Sequence, residues 1–316
     1  MKTNKIKFLA AIAIFSMLFS SCSEDDVPTV VPDTTVTGLA SSRSDLTLLV
    51  KALSKAGLAG TLQGEGPFTV FAPTNTAFEA VGYNAAFIDA IPASGVPALR
   101  ELLLNHVISG DLESTDLVNN TYRKTLARGT ASASNTLSMY INTTSGVRLN
   151  GVSSVDTSAG NFNIIAANGV IHIVNAVITL PTIVTHAAAN PNFDTLESLL
   201  VAQSLTTTLG GTASSPFTVF APLNSAFDTA TLALYTGFNS TQKTSVLTYH
   251  VIAGANVLSN AIPASSPTFE TGILNFSGTV ITDEKARLTN IVLTDVQCAN
   301  GVIHAVDKVL LPNSVP

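Results

Sequence analysis

The chain has 316 residues, 46% of them hydrophobic and 11% charged, which suits roughly two domains with sizeable cores and excludes a globally disordered protein. Its formal net charge is −6, and no Lys/Arg-rich stripe occurs, so nucleic acid is excluded as an expected partner. The two cysteines, Cys22 and Cys298, lie far apart and offer no disulfide framework, so packing must hold the fold.

In chain order, residues 1–21 read as a signal peptide. Lys2, Lys5 and Lys7 form a positive region, and Phe8 to Phe19 is a 12-residue apolar run, short of the ~20 residues that a membrane span needs. Small residues lead into Cys22, as in a bacterial lipobox, so Cys22 is the expected lipidation site and the new N-terminus. Removal of the leader leaves 12 basic residues against 21 acidic. The acidic run Ser23-Glu24-Asp25-Asp26 resembles the surface-export signal of Bacteroidota lipoproteins. Residues 22–36 form an acidic, Pro/Thr-rich stretch expected to act as an extended tether.

Beyond residue 36 the chain repeats itself. Pro67 to Phe78 (PFTVFAPTNTAF) recurs as Pro216 to Phe227 (PFTVFAPLNSAF) at an offset of 149. Asn105-His106-Val107-Ile108 recurs as Tyr249-His250-Val251-Ile252 at 144, and Ala167 to His172 (ANGVIH) recurs as Ala299 to His304 at 132. The shrinking offset predicts extra loop residues in the first copy, around residues 123–146. The expected domains are 37–182 and 183–316, joined by a link of about ten residues from Leu180 to Pro191 that should let two weak sites act together.

Within each copy the spacing predicts first a helix, from Leu46, Leu49 and Leu53 and their counterparts Leu196 and Leu200. An apolar strand comes next (Phe68 to Ala72), stopped by Pro73, which has no N–H to donate. Asn75 and Asn224 then stand where a helix can begin and are expected to cap it. Leu99, Leu102, Leu103 and His106 fit a further helix. The remainder reads as strands with Asn-Gly turns such as Asn150-Gly151, ending in an apolar strand from Gly169 to Leu180.

The candidate site residues are the paired histidines His106, His172, His250 and His304. They read as hydrogen-bonded structural groups, because no second ligand stands at metal-binding spacing. No nucleophile elbow and no repeated carboxylate pair occurs, so no catalytic, metal or cofactor-binding residue is assigned. Cys298 occupies the slot of Ala166 and reads as a small buried residue.

The segments Thr69–Phe78 with Asn168–Val177, and Thr218–Phe227 with Asn300–Val309, resemble the two signatures of the fasciclin (FAS1) domain family. His106 and His250 match its central Asn/Tyr-His element. The resemblance covers nearly all of the chain after the tether. It implies an α+β fold of two tandem fasciclin-type domains, each a β-sandwich-like wedge flanked by short helices, with Asn75, His106, His172, Asn224, His250 and His304 as structural signature residues. It further implies a cell-surface adhesion or binding module with no cofactor. The expected partner is an extracellular or envelope protein or a polysaccharide. With Cys22, the expected location is the outer membrane, facing outward. A scaffold lipoprotein of the envelope without an external ligand is the alternative, and an unrecognised hydrolase a third reading.

Overall fold

The computed structural model describes residues 32–316; Cys22, its leader and most of the expected tether lie outside the described residues. The first copy opens on α1 (Val36–Ser41), α2 (Thr47–Lys55) and α3 (Ala59–Gln63), which lead into β1 (Phe68–Pro73). Then come α4 (Asn75–Ala80), α5 (Ala85–Ala90), α6 (Val96–Leu104) and β2 (Val107–Ser109). Strands fill the rest: β3 (Thr121–Arg128), β4 (Thr136–Asn142), β5 (Arg148–Leu149), β6 (Ser153–Ser154), β7 (Ile164–Ala166) and β8 (Gly169–Val174). The second copy repeats the plan with α7 (Ile183–Ala189), α8 (Asp194–Ala202), α9 (Thr206–Gly210), β9 (Phe217–Pro222), α10 (Thr229–Gly237) and α11 (Ser240–Tyr249). It ends in β10 (Val251–Ala253), β11 (Ser265–Pro267), β12 (Ile273–Ser277), β13 (Val280–Thr282), β14 (Leu288–Cys298) and β15 (Gly301–Val306).

The strand order is β6-β5-β4-β3-β2-β1-β8-β7 in the first copy and β10-β9-β15-β14-β13-β12-β11 in the second. In both, the two signature strands lie side by side in parallel, Phe68 beside Gly169 and Phe217 beside Gly301. Their alternation builds two cores per copy. Val70, Ala72, Ile171 and Ile173 turn to the helices, where Leu49, Leu53, Phe78 and Leu103 meet them. Phe71 and Val174 turn the other way and pack on Met139, Ile141 and Leu149, so the sheet folds back over its own second face. The second copy places Val219 and Ala221 against the helices, and Phe220 against Leu274, Ile281 and Ile291. Each Val, Leu, Ile, Phe or Met among them contributes roughly 1.5–3 kcal/mol on burial.

Three sequence expectations are refined. The first domain begins before residue 37: Thr35 caps α1, and the Val36 N–H is held by Asn168 Oδ1 at 2.9 Å. The strand expected to run from Gly169 to Leu180 stops at Val174, because the Asn175 N–H turns away to the Ser154 carbonyl. The extra residues of the first copy form a long β3–β4 hairpin, paired from Thr121–Ile141 out to Arg128–Thr136. Its counterpart is shorter, Ser265–Pro267 against Ile273–Asn275.

Candidate functional site

Two features recur or connect the copies: a set of polar staples repeated in each domain, and a joint between the domains.

The staples start from the histidines. His106 follows the Asn105 cap of α6, so its Nδ1–H donates back to the Leu102 carbonyl at 2.8 Å, while Nε2 accepts the Ile178 N–H at 2.8 Å. His250 does the same with the Val246 carbonyl (2.8 Å) and the Leu310 N–H (2.9 Å). These partners assign a neutral ring with the proton on Nδ1. Burial depresses both histidines to about 4, the carbonyl contact pulling partly back. His172 and His304 use the other tautomer. Nε2–H donates to the carbonyls of Leu112 (2.8 Å) and Val257 (2.9 Å), and Nδ1 accepts the N–H of Asn163 (3.3 Å) and Asp295 (3.4 Å). Their rings stack on Phe71 and Phe220 at 5.6 and 5.7 Å, and burial lowers the pKa of both. All four rings thus spend both nitrogens on neighbours. None is left to bind or activate a substrate in this state.

Asn75 and Asn224 do not cap the helices they begin, which corrects the sequence expectation. Thr74 caps α4, and Asn224 lies in a 3-10 turn. Asn75 Oδ1 instead takes the Leu48 N–H at 2.9 Å, and Asn224 Oδ1 the Thr195 N–H at 3.0 Å. Each therefore caps the first long helix of its domain, α2 or α8, from about 30 residues downstream.

Sequence reasoning assigned no role to the asparagine of the Asn-Gly signature, and the structure gives it one. Asn168 Nδ2 donates to the Leu62 and Gly64 carbonyls, both at 2.8 Å, while its Oδ1 holds α1. Asn300 binds the Leu209 and Gly211 carbonyls at 2.8 and 3.0 Å and the Ile183 N–H at 3.0 Å. The signal was the recurrence of the motif itself. The next residue must be glycine, because a Cβ at Gly169 or Gly301 would overlap the carbonyl oxygen of Phe68 or Phe217. The residue before the central histidine differs. Asn105 binds the carbonyls of Ile178 (3.0 Å) and Thr179 (3.1 Å), whereas the Tyr249 hydroxyl donates to the Ile273 carbonyl (2.8 Å) and accepts the Glu284 N–H (3.0 Å).

The joint is made by the long hairpin of the first domain. Its tip lies along the second domain at Asp295–Ala299: Lys124 Nζ donates to the Asp295 carbonyl (2.9 Å), Ser138 Oγ accepts the Gln297 N–H (3.0 Å), and the Ala131 N–H meets the Ala299 carbonyl (3.0 Å). Gly129 packs so closely on Ala299 that a side chain there would strike its backbone. The expected tether from Leu180 to Pro191 is not a free link: it contains α7, with Ile183 and His186 buried, and residues Asp33–Pro316 form one compact unit. The domains are held by contact, so the spacing between any two sites they carry is set by the joint and not by a free link. Tyr122 stands edge-on to His186 at 5.3 Å, and its hydroxyl accepts Asn190 Nδ2–H at 3.0 Å. Neither His186 nitrogen has a hydrogen-bond partner among the described residues. Burial, and then the nearby Lys124 charge, depress it to about 3, with the Ser138 backbone pulling least, and upward. Cys298 is buried at the same joint, and burial raises its thiol pKa far above the ordinary range, which keeps it unreactive. Among the described residues no group of three or more His, Cys, Asp or Glu is placed to hold a metal ion, and no helix is long and apolar enough to cross a membrane.

The repeated staples and the doubled sheet define the class. The fasciclin domain family model matches residues 44–181 and 191–312, so the chain belongs to the fasciclin family and carries two tandem copies of its domain. A Synechocystis protein, sll1483, is 34% identical over 137 residues, 42% of this chain and 73% of that protein. Human periostin is 26% identical over 264 residues, 80% of this chain but 29% of periostin. The cell surface glycolipoprotein MPB83 of Mycobacterium bovis is 33% identical over 137 residues, 41% of this chain and 60% of that protein. The chain thus spans under two thirds of the length of the latter two. A solved FAS1 domain pair from the insect cell adhesion molecule fasciclin I aligns over 84% of this chain and 96% of that one, at 18% identity and a TM-score of 0.48.

Proposed function

We propose that this protein is a cell-surface adhesion or binding lipoprotein. It is anchored in the outer membrane through Cys22 and presents its paired fasciclin domains to a protein or polysaccharide outside the cell. The observation that carries this reading is the joint. Two domains whose histidines are spent on backbone contacts are held together as one compact body, which suits a presenting surface better than a reaction centre. MPB83, a relative, is itself a cell surface glycolipoprotein, which supports the lipid anchor and the surface location. The composition favours a protein or a flat glycan contact, since the chain has no Trp on which a sugar could stack deeply and is acidic overall.

Residues 27–316, applied to arrays of matrix proteins and glycans, should retain at least one class saturably. Retention of none, together with co-purification of envelope proteins from cells, hands the protein to the scaffold reading. Detergent partitioning of Cys22→Ser tests the anchor separately: a variant that partitions like the parent removes it.

A further inference from the structure

The two domains use one sheet edge in opposite ways. In the second domain, Val296–Cys298 is covered by the hairpin of the first: Gln297 is 1% exposed, with its N–H on Ser138. The equivalent residues of the first domain, 132 positions earlier, are β7, and Ile165 there is 59% exposed. The register says what this edge offers. The Asn168 carbonyl binds the Phe68 N–H, so even positions of β8 face β1 and odd positions face β7. Ile165 lies opposite Val170, an even position, and therefore turns its own N–H and C=O outward. Ala167 already gives its outward N–H to the Thr34 carbonyl, as Ala299 does to Pro181, so the entering chain occupies the same place at both edges. Among the described residues, what the first domain lacks is the hairpin.

We propose that the β7 edge of the first domain is a docking strand for a β-hairpin of another chain, with a Gly/Ala/Thr tip and basic flanks like the one this protein seats on its second domain. The seated example supplies the fit: a tip of Gly129-Thr130-Ala131 that allows close backbone approach, and flanks carrying Arg123, Lys124 and Arg128. Charge agrees with it. A cavity of about 530 Å³ opens at the Ala166 end of β7 and is lined by Glu65 and Asp111 along with Ala166 and Ala167. Ala167 is the counterpart of Ala299, on which Ala131 sits, so these acidic groups meet the hairpin tip and Arg128 beside it. The exposed Ile165 side chain adds apolar contact that the polar Gln297 does not offer. The protein's own hairpin is engaged within the chain, so the occupant comes from a molecule whose hairpin is free. In the seated example one bond is main chain to main chain, Ala131 N–H to the Ala299 carbonyl, and the side chains of Lys124, Thr130 and Ser138 make the rest, so docking of this kind draws on both. This deepens the adhesion reading by naming a surface and a partner, and it rests on that reading only for the partner's extracellular origin.

The test uses the whole chain and a labelled peptide of the Thr121–Asn142 sequence closed into a hairpin by a terminal disulfide. Saturable binding is expected. Ile165→Pro should weaken it about tenfold or more, since proline removes the outward N–H without touching the β7–β8 ladder. Glu65→Lys with Asp111→Lys, which leaves the backbone intact, should weaken it as well and decides the matter if the proline variant fails to fold. Absence of binding overturns the proposal. So does undiminished binding to the folded variants, which would mean that the peptide exchanges with the hairpin seated on the second domain. No cell or matrix enters this assay, so it can fail while the adhesion reading stands, and the reverse.

Discussion

The two domains share signatures, sheet core and staples, yet one ends in an open edge and the other in a sealed one. The position held by a half-buried Ala166 in the first domain is the wholly buried Cys298 in the second. The staples are bonded alike in both. What differs is the hairpin, and its length decides whether a duplicated module remains two beads or becomes one body. Conserved contacts inside a module and variable loops between modules therefore answer different questions: the first fix the fold, the second fix the assembly.

The largest effect that can sharpen this comparison is acid. An unfolded imidazole titrates near 6.5, whereas His106 and His250 are held at about 4 and His186 at about 3. The unfolded chain therefore binds more protons between these values. The stability tied to these rings is fully present above pH 6.5 and falls as the pH drops, by about 1.4 kcal/mol per pH unit for each ring. The loss levels off below about 4 for the pair and below about 3 for His186. Urea midpoints measured from pH 7.5 down to 3.5 should fall steeply. His186→Leu should remove one proton from the slope at little cost at pH 7, since no ring nitrogen loses a partner. An unchanged slope in that variant would mean that the joint opens before His186 is tested.

The second effect separates the domains by burial. Asn300 is 2% exposed, so Asn300→Ala strands the Leu209 carbonyl and the Ile183 N–H in the interior and the Gly211 carbonyl at its margin, at a cost of roughly 3–5 kcal/mol. Asn168 makes the same three bonds but is half-buried, and Asn168→Ala should cost about half as much. Equal losses in thermal unfolding would refute the claim that the first domain's edge is open. The third effect breaks the joint. Gly129→Val forces a side chain into the Ala299 backbone and should destabilise the pair by about 2 kcal/mol, while splitting one unfolding transition into two by calorimetry. A single transition of unchanged midpoint would show that the tip is dispensable.

The sequence made the duplicated plan legible, because the motifs recur whole and an apolar run stopped by proline has few readings. It also located the extra residues, since a falling offset between matched motifs means that the first copy is longer there. It could not reveal the joint. Gly129, Ser138 and Lys124 meet residues about 160–170 positions away and belong to no motif. It misjudged the link for a related reason: Ile183 and His186 are ordinary helix residues until the second domain's own core buries Ile183 and Tyr122 of the first domain packs on His186. It also sent Asn75 and Asn224 to the wrong helix. A cap was inferred from chain neighbours, whereas these side chains serve a helix that the sheet brings alongside.

That last correction supplies the smallest effect, and it bears on how alike the domains are. An asparagine that caps its own helix would, on replacement by alanine, loosen α4 or the turn at Asn224. An asparagine that caps across the fold loosens α2 or α8 instead. Asn75 Oδ1 holds the Leu48 N–H, and its Nδ2 reaches the Ser44 carbonyl at 3.0 Å. Asn224 holds Thr195, and its Nδ2 reaches the Pro191 carbonyl at 2.7 Å. Both side chains reach solvent, so water can replace part of what is lost. Asn75→Ala and Asn224→Ala should therefore each cost about 1 kcal/mol, the ordinary loss of a helix cap, and by the same amount in the two domains. Hydrogen exchange places the effect. Protection should fall at the start of α2 in the first variant and of α8 in the second, while the Thr74-capped start of α4 stays as it was. Loss of protection at α4 would return Asn75 to the role that the sequence suggested, and unequal losses would show that the staples, too, have diverged between the copies.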